Sequence, residues 1–102
     1  MAADCNVSTA GRQHEEYILQ LVRTQLAFGL AYLEEARAAY LDSRTEFAET
    51  AREIAVNSYH SATRFAARLA KDVDSTVRDQ LDRFWAEMQA VWPDLAPSRE
   101  IA

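Results

Sequence analysis

Between Gln13 and Asp42 the chain holds no proline and a single glycine, and its apolar residues fall at helical steps. Leu19, Val22, Leu26, Leu33 and Tyr40 recur at three- and four-residue steps, with Gly29 and Ala36 between them. This is the seam of a packed helix and not the alternation of a strand. At a rise of about 1.5 Å per residue the stretch makes a rod of roughly 45 Å. A surface helix needs one apolar stripe, and this one carries more. Ile18, Val22, Leu26, Leu30, Leu33 and Leu41 form the main stripe, while Tyr17, Leu21, Phe28 and Tyr32 extend it around the back. The purely polar arc left to Glu16, Gln20, Arg23, Thr24, Glu34 and Glu35 is a minority of the circumference. A helix apolar over more than half its girth must be covered from at least two sides. The expected arrangement is a central position, or a second copy of the chain against its back.

The same stretch is a poor membrane span. Tyr17 to Leu33 contains Gln20, Arg23, Thr24 and Gln25, whereas a spanning helix needs about 20 predominantly apolar residues and a central arginine is costly there. Gly29 at mid-helix costs about 1 kcal/mol relative to alanine, so a packing reason is expected. Close approach of a neighbouring helix is the favoured reason, and a kink or ligand notch is the alternative.

The rest of the chain supplies the cover. Asp42 to Arg44 is read as a turn, with Ser43 and Glu46 in the spacing of a capping box ahead of Phe47. A second helix, about 45–71, has Phe47, Ala51, Ile54, Ala55, Ser58, Ala62, Phe65 and Leu69 as its buried stripe. Small residues dominate that stripe, which permits a short interaxial distance. Asp72 to Ser75 is read as the next break, with Asp74 or Ser75 as N-cap, and a bent continuous helix is the alternative. A third helix, about 75–92, places Val77, Leu81, Phe84, Met88 and Val91 at heptad spacing, flanked by Trp85 and Trp92, in the manner of a coiled coil. Arg78–Asp82, Asp79–Arg83 and Arg83–Glu87 are opposite-charge pairs at i,i+4. Pro93 ends the helix. Residues 1–12 are read as a disordered tail and 94–102 as a tail that adds little to the core. The fold class is therefore all-α: an antiparallel hairpin plus a third helix, three-helix bundle-like, with 13–93 as one domain completed by dimerisation.

A chain of 102 residues with two glycines and two prolines suits one helical domain. A net charge of −5 argues against nucleic acid and against an anionic membrane surface. Cys5 stands alone, so no intramolecular disulfide can form, and no secretory signal is seen in the first residues. These features point to a cytoplasmic protein.

Chemistry is not signalled. A di-iron bundle needs Glu-x-x-His on two helices, but Gly11 stands three residues before His14 and Asn57 three before His60. One cysteine excludes a thiolate zinc cage. Ser58 and Ser61 flank His60 on a helix, where neighbours diverge by about 100° and form no triad. The glycine content excludes a phosphate loop. No catalytic, metal or cofactor residue is named. The aromatic residues say more. Tyr17, Leu21, Phe28, Tyr32, Trp85 and Trp92 are the candidate interface, since tryptophan and tyrosine anchor interfaces and large bare apolar patches mark partners. The leading expectation is a helical interaction or self-association module, a homodimer without catalytic activity. One alternative is a small-molecule sensor or minor enzyme with a pocket lined by Gly29, Tyr32, Phe65 and Trp85. Another is a reversible coat on an apolar or lipid surface.

Overall fold

A computed structural model of the chain describes residues 2–69 and 71–95, with side chains described for 13–69 and 75–95. Three helices follow in order: α1 (Ala2–Leu41), α2 (Thr45–Ala66) and α3 (Lys71–Val91). Residues 2–12, expected as a loose tail, continue α1 as helix. They contain no proline, and Gly11 alone costs only about 1 kcal/mol, too little to stop a helix. At about 1.5 Å per residue α1 accounts for the 63 Å long dimension of the molecule.

Cross-helix contacts fix the register. Tyr40 on α1 meets Glu49 on α2, and Gly29 faces Ser58. Residue numbers therefore rise on α1 as they fall on α2, which makes the pair antiparallel. Tyr59 stacks on Trp85, and Arg52 reaches Trp92, so α3 runs antiparallel to α2 and parallel to α1. On this register Ala66, the last residue of α2, lies level with about Val22. The N-terminal part of α1 thus extends past the end of the hairpin.

The α2 side of the hairpin interface is built mainly from small side chains. On α1 the buried residues are Ile18, Val22, Leu26, Gly29, Leu33, Ala36 and Ala39. On α2 they are Ala48, Ala51, Ala55, Ser58, Tyr59, Ala62 and Ala66. The buried face of α2 is turned by about one residue from the expected one. Phe47 is exposed, with Arg44 lying over its ring, while Ile54 and Phe65 are half-buried. Large side chains hold helices apart, so a close pair turns its alanines inward and its aromatics to the edge. The third layer is different: α3 inserts Val77, Leu81, Phe84, Trp85 and Met88, and Trp92 just past its end, into the seam between the other two helices. Val91, expected in that heptad, is half-buried.

The turns depart from the expected chemistry. Ser43 does not cap α2; it ends α1 in the left-handed region, with φ 62°. The Arg44 N–H donates to the Ala39 carbonyl at 2.7 Å and the Ser43 N–H to Tyr40 at 3.2 Å, which is the Schellman closure. The residue before α2 is Arg44, and no side chain caps the helix there. The second turn lies at Ala67–Leu69 and not at Asp72–Ser75, which fall within α3. Arg68 and Leu69 donate to the carbonyls three residues back, at 3.0 Å each. This tightening ends α2 without glycine or proline. At the far end Pro93 stops α3 as expected. Leu95 then packs against the core and Asp94 pairs with Arg52, so the start of the C-terminal tail does contribute. Residues 96–102 lie outside the described residues.

Candidate functional site

The cover supplied by α2 and α3 falls on one arc of α1. By 100° steps, Tyr17, Leu21, Thr24, Phe28 and Ala31 line a second seam, spaced four, three, four and three residues, on the flank beside α2. Tyr17 is 61% exposed and Phe28 49%. Thr24 and Ala31 are exposed as well, and Leu21 and Tyr32 are half-buried against the edge of the core. The seam carries no charged side chain over this span. The Phe28 ring meets the Tyr32 ring edge-on, with centroids 4.9 Å apart, and this contact holds the two in one patch. Tyr17 is bare because the register places it beyond the end of α2.

The tryptophans are elsewhere. Trp85 and Trp92, expected among the interface anchors, are each 3% exposed inside the chain's own core. The Trp85 ring lies 4.5 Å from that of Tyr59, a core residue that the apolar spacing of α2 did not single out. Trp92 donates its indole N–H to the Tyr40 hydroxyl at 2.8 Å, and Tyr40 donates to Glu49 at 3.3 Å. Arg52 lies over the Trp92 ring and grips both Asp94 oxygens, at 2.7 and 3.2 Å. The Arg52 guanidinium holds the Asp94 carboxyl below the usual carboxylate range. This cluster closes the end of the bundle. Its aromatic positions have structural partners, and of the candidate interface only Tyr17, Leu21, Phe28 and Tyr32 stay together on one surface.

The expected pocket is not assembled. Gly29 is buried where three helices meet. A methyl group there would lie 2.5 Å from Phe84 Cζ and 3.2 Å from Ser58 Cβ. The Phe84 ring fills the space, so the glycine permits close approach. Tyr32 turns to Phe28, Phe65 packs at the core edge, and Trp85 stacks on Tyr59. Surface hollows lie elsewhere. One, of about 390 Å³, runs along α2 by Glu49, Arg52, Val56 and Leu95. Another, of about 460 Å³, lies between α1 and α3 on the flank opposite Phe28.

Among the described residues no reactive constellation emerges. Among the described residues no group of three or more His, Cys, Asp or Glu side chains is placed to hold a metal ion. His14 is exposed; His60 is half-buried beside the Tyr59 and Trp85 rings. The Cys5 side chain lies outside the described residues. Burial raises the Tyr59 phenol above its ordinary pKa, which keeps it neutral. Among the described residues no helix is long and apolar enough to cross a membrane. No family model, curated protein or solved structure matches the chain.

Proposed function

We propose that the protein is a helical self-association module, and that the seam Tyr17–Leu21–Thr24–Phe28–Ala31 is where a second copy of the chain docks. The observation that carries this reading is the exposure of Tyr17 and Phe28 on one uncharged flank of α1. Bare aromatic surface at coiled-coil spacing is covered most economically by a helix with the same spacing, and a symmetric pair of α1 helices provides one. The overhang of α1 past the end of α2 leaves room for a second helix beside Tyr17. The module's role is then binding, with no chemistry assigned to any side chain.

Sedimentation velocity from low to high micromolar concentration tests it. The wild-type chain should sediment as a dimer at the upper end. Tyr17→Glu with Phe28→Glu should be a folded monomer throughout, since both positions are exposed within one chain and both charges would face the partner. A wild-type monomer at every concentration removes the reading.

A further inference from the structure

We propose that the groove between α1 and α3 binds a small amphiphile with one anionic head, of the class of medium-chain carboxylates. Leu26, Ala27, Leu30 and Phe84 form its apolar floor, and its volume of about 460 Å³ falls in the ordinary range of small-molecule sites. Arg23 from α1 and Arg83 and Gln80 from α3 stand along its wall. Arg83 was expected to pair with Asp79 or Glu87. Among the described residues no hydrogen bond or ion pair engages Arg23 or Arg83. Two disengaged guanidiniums beside an apolar floor offer a local site for an anionic head and then an alkyl chain, against the overall charge of −5.

The groove also has a direction. Because α1 and α3 run parallel, Arg23 and Gln80 mark one end, and Leu30 and Glu87 the other. The head belongs at the Arg23 end with Arg83 reaching over it. The alkyl tail lies along Leu26, Leu30 and Phe84 and stops before the Glu87 carboxylate. A second anionic group at the tail end would meet Glu87, so dicarboxylates are rejected. The hollow along α2 lacks this character, since its arginine, Arg52, is already committed to Asp94.

Calorimetric titration with decanoate below its micelle concentration tests the proposal. Decyltrimethylammonium and decyl maltoside serve as head-group controls, and acetate as the tail control. Saturable one-to-one binding of decanoate is expected, about tenfold tighter than either control amphiphile, with no binding of acetate. Arg23→Gln with Arg83→Gln should weaken it about tenfold or more at unchanged helicity. Arg64→Gln, on the exposed face of α2, should leave it unchanged. Equal binding of all three amphiphiles, absence of saturation, or decanoate affinity untouched by the double arginine variant would each overturn the assignment. Tyr17→Glu with Phe28→Glu alters the other flank and should bind decanoate as well as wild type, so failure here and failure of self-association are read separately.

Discussion

Helices α2 and α3 pack on α1 by opposite means. α2 presents Ala48, Ala51, Ala55, Ala62 and Ala66, and brings its backbone close. α3 presents Phe84, Trp85 and Met88, with Trp92 just past its end, and keeps its backbone back while its side chains fill the seam. One interface is closed by small side chains at close backbone approach, and the other depends on volume that only large side chains supply. Burial is equally complete in both, but the consequence of a substitution has opposite sign. Adding atoms harms the α2 interface, and removing atoms harms the α3 interface.

The largest effect should come from deleting volume in α3. Trp85→Ala should lower stability by about 3–5 kcal/mol in urea unfolding, and a loss below about 1 kcal/mol would mean that the α3 layer is not a packed core. Next comes Ala55→Leu in the close interface, which should cost about 1–3 kcal/mol. An increase in stability there would show that the helices can separate freely. Gly29→Ala joins the two interfaces. Its gain in helix propensity is about 1 kcal/mol, while the contact with Phe84 and Ser58 opposes it. A net loss of about 1 kcal/mol is expected from overpacking. In a Phe84→Leu background the same substitution should turn favourable, because the ring that obstructs it is gone. A sign that does not change would break the account of Gly29.

A pH titration separates the buried aromatic pair from its surroundings. The Tyr59 pKa is raised by burial. Its contribution to stability is complete below the unfolded value, about 10, and is lost as pH rises through the folded one. Tyr59→Phe should flatten the alkaline arm of the Tm profile and leave the neutral region nearly level. The smallest effect belongs to the first turn. Ser43→Gly should raise stability by a few tenths of a kcal/mol, about the relief of the left-handed penalty less the entropy of glycine.

Much of this was legible in the residues, and the failures have a common cause. The period of α1 and the heptad of α3 rest on large side chains at regular steps, and both agree with the structure at Val22, Leu26, Leu33, Leu81, Phe84 and Met88. On α2 the same weighting misled, because Phe47 and Phe65 drew the face towards themselves while the closer pairing selected Ala48 and Ala66. Tyr59 is not legible in the spacing of α2 because its partner is Trp85, a contact between helices. Ser43 resembles the start of α2, since a serine three residues before a glutamate fits a cap; nothing in the sequence marks a serine that ends a helix at positive φ. The turn at Ala67–Leu69 carries no glycine or proline, so the acidic stretch after it attracted the boundary. For the candidate site, Tyr17, Leu21, Phe28 and Tyr32 were legible as surplus apolar surface. The tryptophans were not separable from them, because burial by a third helix depends on register.

Hydroxyl-radical footprinting at low and high protein concentration addresses the self-association reading at the residues themselves. Tyr17 and Phe28 should be labelled in dilute solution and protected when concentrated, while Leu41, 87% exposed and off that seam, is labelled alike in both. Labelling of Tyr17 and Phe28 that is the same at every concentration would contradict the proposal that a second α1 lies on this flank.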